Sequence, residues 1–547
     1  MRKRWSLSSA IGRKNAMQAD YVVVGAGSAG CVVASRLSET GASVILLEAG
    51  PNDWHPMIHI PAGMRSLIRN PLVNWNFTTE PEKGSGDRRI EWPRGRTLGG
   101  SSSINGMLYV RGAPADFDGW AQMGCRGWTY DDVLPYFKKS EHYVQKGDSE
   151  VRGQGGPLKV EDYRTILPLT HRFVEAAQQA GFPFNPDLNG KQREGVGYSQ
   201  MTRRGRFRGS TAQTFLREAR RRPNLRVETD AQAGTLSFEG KRCTGISFRR
   251  GGNLTHVRAN REVIVAGGTI NSPHLLQISG IGPAAHLQSL GLPVVHDLPG
   301  VGANLIDHYV IRVVHRVHGT STVNEIARFP RVLPEIARFA LTGRGALTFG
   351  VTTAQVFCDS REGLASPDLQ LLFTPGSTHP LKFGQLDEQP GMSCVVCVVK
   401  PDSRGTIMAS SPDPFARPAI RPNYLTTHTD ELALLGGTRH ARRIFAAAAL
   451  SQHSRGEIQP GPDIQSDADL LAYARRAGNT LYHPVGTCKM GEDPRAVVDS
   501  RLKVRGVQGL RVIDASVMPT LTTGNTNAPT IMIAEKGATM IREDAAA

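Results

Sequence analysis

Three glycine-rich turns and one histidine stand out as residues able to do chemistry. Gly25, Gly27 and Gly30 form GxGxxG within DYVVVGAGSAGCVVASRLS. The first glycine allows a tight turn, the second lets a pyrophosphate reach the backbone, and the third lets helix and strand pack closely. Glu48, closing the next apolar run, is placed to accept hydrogen bonds from the ribose hydroxyls of an adenosine. This pattern suits NAD and FAD alike. Gly99 and Gly100, followed by Ser101, Ser102 and Ser103, offer backbone N–H groups and hydroxyls with little bulk. Such a loop can close over phosphates or lie against a flat ring. Among 16 histidines, His483 sits in LYHPVGT, between apolar neighbours on a proline-bounded turn. An imidazole titrates near working pH and can take a proton; a packing role in the core is the plainer alternative.

The elements that must position these groups are legible as apolar runs. Tyr21–Val24 predicts a buried parallel strand. A helix follows to about Ser38, Gly41 ends it, and Val44–Leu47 forms the next strand. In REVIVAGGTINSPHLLQISGIG, a strand at Val263–Ala266 meets Gly267-Gly268 and then a helix starting near Ser272-Pro273, since proline is tolerated in a first helical turn. The chain thus returns to the dinucleotide sheet after a long excursion. A last strand, Leu510–Ile513, ends in Asp514 and Ala515, and a helix is expected from about Pro529 through Lys536. Its N-terminus carries partial positive charge. Between residues 311 and 477, strand-like runs (Leu369–Phe373, Cys394–Lys400) alternate with a helix-like run (Glu431–Ala449).

A chain of 547 residues exceeds one ordinary core, so two domains are expected. No stretch approaches the roughly 18 consecutive apolar residues of a spanning helix. Seven irregularly spaced cysteines make no disulfide framework and fit a reducing compartment, hence a cytoplasmic location, with peripheral contact to an inner membrane left open. The net charge of +16 gathers in two segments. Residues 2–14 lack the apolar core of a secretory signal and read as a plain extension before Met17, or as a transit segment. Residues 203–222 hold eight arginines, half of them on an expected helix, Thr211 to Arg222, capped by Ser210. A solvated basic face is the expected reading there, with attraction to an anionic membrane or acidic partner as the other; nucleic-acid binding is not expected, because only Phe207 interleaves.

With these motifs in place, the chain resembles the glucose–methanol–choline (GMC) oxidoreductases. GRTLGGSSSINGMLYVRG and GTINSPHLLQISGIG look like the family's two signatures, and GAGSAG, LYHPVGTCKMG and GNTNAPT match as well. The resemblance is closest to the choline-dehydrogenase-like and alcohol-dehydrogenase-like branch. It implies an α/β fold with a discontinuous, Rossmann-like FAD domain (17–160, 220–310 and 478–547) and an α+β substrate domain (161–219 and 311–477). It implies FAD contacts from Gly25, Gly27, Ser28, Gly30 and Glu48, from Gly99, Gly100, Ser101 and Asn105, and from Asp514, Ala515 and Asn527. Where some members carry a flavin-tethering histidine before the signature Asn, this chain has Ile104, which implies non-covalent FAD.

The same resemblance makes His483 the base of a primary-alcohol oxidation and assigns the second catalytic position to Asn525, which can hydrogen-bond the alcohol oxygen but cannot act as a base. Asn527 competes for that contact, or lies against the flavin, or caps the last helix. The electron acceptor (oxygen, quinone or carrier) is not readable, and no metal site is expected. Cys394 and Cys397 form a CxxC within MSCVVCVV, but positions three apart on a strand point to opposite faces. Cys488 reads as a packing residue. The rivals are an NAD-dependent dehydrogenase, a cyanohydrin lyase with non-redox FAD, and a non-catalytic flavoprotein.

Overall fold

A computed structural model describes residues 17–379 and 385–547; the basic residues 2–14 lie outside the described residues. The N-terminal apolar run becomes the strand Met17–Val24, central in a seven-stranded sheet. Leu225–Glu228, Val44–Leu47, Met17–Val24 and the C-terminal half of Asn253–Val265 run parallel, and Leu510–Val512 extends this parallel region. The N-terminal half of Asn253–Val265 instead pairs antiparallel with Arg242–Arg250, which pairs with Gln232–Glu239. Val22, Val23, Val263 and Val512 are wholly buried, because crossover helices cover a parallel sheet and both sides of each strand must be apolar.

Helix Ser28–Ser38 follows the first glycine turn and packs against a C-terminal helix, Asn527–Ala546, longer than expected at both ends. Arg36 Nε and Nη2 grip both oxygens of the buried Glu535 at 2.9 and 2.8 Å. A buried carboxylate without such a partner would cost several kcal/mol. The helix expected near Ser272-Pro273 begins earlier, at Gly268, and carries Pro273 in its interior. The missing proline N–H frees the Thr269 carbonyl, and the Thr487 hydroxyl donates to it at 2.7 Å.

A second, antiparallel seven-stranded sheet runs in the order Ser454–Gln459, Tyr309–Val317, Gly391–Val398, Leu369–Thr374, Ala354–Cys358, Gly195–Tyr198, with Asn479–Thr480 also against Tyr309–Val317. Its alternation is that of a sheet with two different environments. Ile311, Val313, Leu371, Phe373, Cys394 and Val396 pack beneath helices Pro168–Gln179 and His428–Ala446, while Arg312, Leu372, Thr374 and Val395 line a cavity. Cys394 and Cys397 accordingly fall in different core clusters, on opposite faces.

The basic stretch 203–222 departs from expectation in its first half, while Arg217, Arg220 and Arg221 are exposed as expected. Arg203 and Arg208 are buried, Arg203 within 3.0 Å of Glu161. The expected helix is a π-helical turn, Ala212–Leu216, followed by Arg217–Ala219. Ser210 supplies its carbonyl to Gln213 and Thr214 N–H rather than a side-chain cap. No helix among the described residues is long and apolar enough to cross a membrane.

Candidate active site

One cavity of about 2010 Å³ runs from the first glycine turn to His483, larger than the roughly 300–1,000 Å³ of an ordinary small-molecule site. Its dinucleotide end is shaped by backbone contact. A Cβ on Gly30 would lie 1.8 Å from the Gly25 carbonyl oxygen, so this glycine permits the helix to sit on the strand. A Cβ on Gly27 would meet no protein atom within 4 Å, because Gly27 faces the cavity. The second glycine loop touches the first: Gly99 N–H donates to the Ala26 carbonyl at 2.8 Å, and a Cβ on Gly100 would stand 2.7 Å from Gly27 Cα. Gly30 and Gly99 therefore act by packing. Gly25, Gly27, Ser28, Glu48, Gly100, Ser101, Asn105, Asp514, Ala515 and Asn527 line the cavity wall.

Glu48 is buried, and each of its oxygens accepts a backbone N–H, from Ala26 at 3.0 Å and Gly50 at 2.9 Å. Burial pushes its pKa up to about 7. Each oxygen keeps a lone pair for a sugar hydroxyl. Asp514 braces the Gly267-Gly268 turn, accepting from Gly268 N–H at 2.8 Å and the Ser272 hydroxyl at 2.6 Å. Asn527 is the first residue of the last helix, not its cap; its Oδ1 accepts from the Ser28 hydroxyl at 2.7 Å. Open space at Gly27, oxygen acceptors at Glu48 and a helix N-terminus on the same cavity suit a dinucleotide flavin.

At the other end, His483 lies between two polar partners. Its Nδ1 is 2.9 Å from His308 Nδ1, and its Nε2 is 3.0 Å from Asn525 Nδ2. His308 Nε2 faces the Val399 carbonyl at 3.2 Å. A carbonyl only accepts, so His308 carries its proton on Nε2 and presents a bare Nδ1. His483 Nδ1 must then be the protonated nitrogen, which leaves Nε2 unprotonated and accepting from Asn525 Nδ2. Burial, then the neighbouring His308 and Arg94, hold the His483 pKa well below its ordinary value. The backbone is held as firmly. Asp307 Oδ1 accepts from His483 N–H at 2.8 Å, and Oδ2 accepts from the Thr480 hydroxyl at 2.6 Å and from Tyr424. Tyr482, just before His483, has a left-handed φ of 67°, a conformation costing a non-glycine residue about 1–2 kcal/mol. Asn525 is oriented by Gln370, whose Nε2 donates to Asn525 Oδ1 at 3.5 Å.

Asp307, His308 and Gln370 escape sequence reasoning. An acid–histidine pair, Asp307-His308, just before the apolar run Tyr309–Val314, is the only local hint. Arg208 is a fourth such residue: its guanidinium donates to the Asn105 carbonyl and side-chain oxygens at 2.7 and 2.8 Å, holding the loop after the serines.

A parallel sheet with two glycine turns, opening onto a cavity that ends at a base-competent histidine, defines a dinucleotide-type redox enzyme. Comparison with known proteins names the kind. Residues 19–310 match the N-terminal part and residues 401–534 the C-terminal part of the GMC oxidoreductases. The chain is 41% identical over 527 residues, 95% of each chain, to the alcohol dehydrogenase [acceptor] of Pseudomonas putida. It is 42% identical over 554 residues to the mitochondrial choline dehydrogenase of Homo sapiens, covering 98% of this chain and 92% of that one. Among solved structures, pyridoxine 4-oxidase from Mesorbium loti superimposes with a TM-score of 0.87 at 29% identity, over 96% of this chain and 99% of that one. The chain belongs to the GMC oxidoreductase family. It is a FAD-binding oxidoreductase acting on CH–OH donors.

Proposed function

We propose that the protein oxidises a primary alcohol to its aldehyde, with non-covalently held FAD as the immediate oxidant and His483 as the base. The observation that carries this reading is the unprotonated Nε2 of His483, a cavity-lining residue, which accepts from Asn525 Nδ2 at 3.0 Å. When bound, FAD supplies a two-electron acceptor at N5 for the hydride of the alcohol carbon. Asn525 Nδ2 turns its hydrogen bond from His483 Nε2 to the alcohol oxygen as charge builds there, and His483 Nε2 takes the hydroxyl proton. A depressed His483 pKa keeps Nε2 unprotonated and ready at neutral pH.

Glu48, Gly27, Gly100 and Asn527 would hold the cofactor. Ile104 offers no nucleophilic atom, in keeping with non-covalent binding. We assign the FAD domain to residues 17–160, 220–310 and 478–547 and the substrate domain to 161–219 and 311–477. Leu108, Val351, Leu372, Val395 and Leu481 make the cavity apolar where the second sheet covers it. The acids on the cavity wall are already engaged: Glu91 by Arg69 and Asp387 by Arg316, Glu48 and Asp514 by backbone N–H groups. A neutral alcohol suits these walls better than a quaternary ammonium. The two electrons then pass to an external acceptor: a quinone, a carrier or oxygen.

Anaerobic addition of hexan-1-ol or benzyl alcohol to the yellow protein tests the reading. Bleaching without nicotinamide is expected, and His483→Ala should retain FAD yet stay yellow. Yellow wild-type protein that no alcohol bleaches would point to a lyase or a non-catalytic flavoprotein, and colourless protein needing NAD to a nicotinamide enzyme.

A further inference from the structure

The helix Val332–Thr342 wears its apolar side outward. Leu333, Ile336 and Leu341 are 50%, 46% and 82% exposed. With Ala337 and Ala340, also exposed, they form one stripe at helical spacing. Phe329, just before the helix, is 81% exposed. The protein-facing side holds the buried Phe339, against which the ring of Phe207 packs at 6.2 Å. A surface helix ordinarily buries its apolar stripe, and a contiguous exposed apolar patch marks an interaction site.

The stripe is edged with positive charge. Arg328, Arg331, Arg338 and Arg344 stand on the segment against only Glu325 and Glu335, which already lie within 3.6 Å of Arg331 and 3.7 Å of Arg338. Arg206, from the basic stretch, reaches in to donate to the Phe339 carbonyl at 3.3 Å and to that of Ala340. Apolar side chains projecting between arginines, on a helix lying along the surface, are the composition that enters the headgroup layer of an anionic bilayer. A second copy of the chain fits less well, because a two-fold contact would set these arginines against themselves.

We propose that this face is a membrane-docking surface, with helix Val332–Thr342 lying in the plane of an anionic phospholipid bilayer and Phe329, Leu333 and Leu341 inserted among the lipids. Val332 and Ile336 of the same helix also line the cavity. Docking therefore sets one wall of the cavity against the bilayer, from which a lipid-soluble acceptor or alcohol enters.

Co-sedimentation of the full-length holoprotein with vesicles tests this. Wild-type protein is expected to sediment with vesicles containing phosphatidylglycerol, less with phosphatidylcholine alone, and less at high salt. The triple variant Phe329→Ser, Leu333→Ser, Leu341→Ser should lower partitioning by at least about tenfold, and Arg331→Glu with Arg344→Glu should lower it as well. Both variants should keep FAD absorbance and dye-linked turnover of a soluble alcohol. Three results overturn the proposal: wild-type protein that stays in the supernatant with both vesicles; a triple variant that sediments like wild type, which assigns binding elsewhere, such as residues 2–14; or a wild-type dimer that the triple variant converts to monomer, which makes the face a contact between copies.

Discussion

His308 and His483 face each other through their Nδ1 atoms at 2.9 Å, and only one of the two can carry a proton there. The Val399 carbonyl behind His308 decides which. A backbone oxygen thereby sets the tautomer of the cavity-facing imidazole two links away, in the way a buried partner orients a catalytic histidine.

Removing that acceptor should therefore damage chemistry more than cofactor binding. His308→Phe is expected to slow flavin reduction by about 10–100-fold with FAD content unchanged. His308→Gln, whose side-chain oxygen can accept from His483 Nδ1, should recover part of the loss. Anaerobic stopped-flow reduction, read against the 450 nm band typical of a flavin, checks both; a His308→Phe variant reduced at the wild-type rate would end the tautomer argument.

Stability should fall on the acid side of neutrality. Burial lowers the His308 pKa to about 3 and that of His274 to about 4, and pushes His483 well down. These rings stay neutral in the folded protein while the unfolded chain takes up protons below about pH 6.5. Their contribution is thus whole above that pH and is lost progressively as pH falls toward the folded values. Thermal melts of the holoprotein should show Tm falling from pH 7 to pH 5, with a shallower slope in His274→Asn. The same depression predicts a flat rate of flavin reduction from pH 6 upward.

The two glycines of the first turn should fail in different ways. Gly30→Ala places a Cβ 1.8 Å from a backbone oxygen that cannot yield, so the protein should be insoluble or melt far below wild type. Gly27→Ala meets open space within the protein and should fold but purify without colour. Circular dichroism together with FAD titration distinguishes them; a yellow Gly27→Ala protein would contradict the assigned pyrophosphate path.

Ile104 offers no atom for a flavin bond. Acid precipitation of the holoprotein should release all yellow colour to the supernatant. Colour retained in the pellet would require a different attachment residue.

Much of this protein is local and was open to reading. Tyr21–Val24 and Val44–Leu47 are apolar runs because both of their faces are covered, and Gly25, at a φ of 100°, and Gly30, against the Gly25 carbonyl, are demanded by stereochemistry within a few residues of chain. These settled the cofactor sheet and the kind of chemistry. What remained was decided by contacts between distant segments. His308 and His483 are 175 positions apart, and nothing near either one predicts their meeting. The arginines at 203 and 208 look like surface charge until Glu161 and Asn105 arrive from elsewhere. Periodicity likewise reveals that helix Val332–Thr342 has an apolar side, but only packing determines whether that side turns inward, and here the neighbours cover the other one.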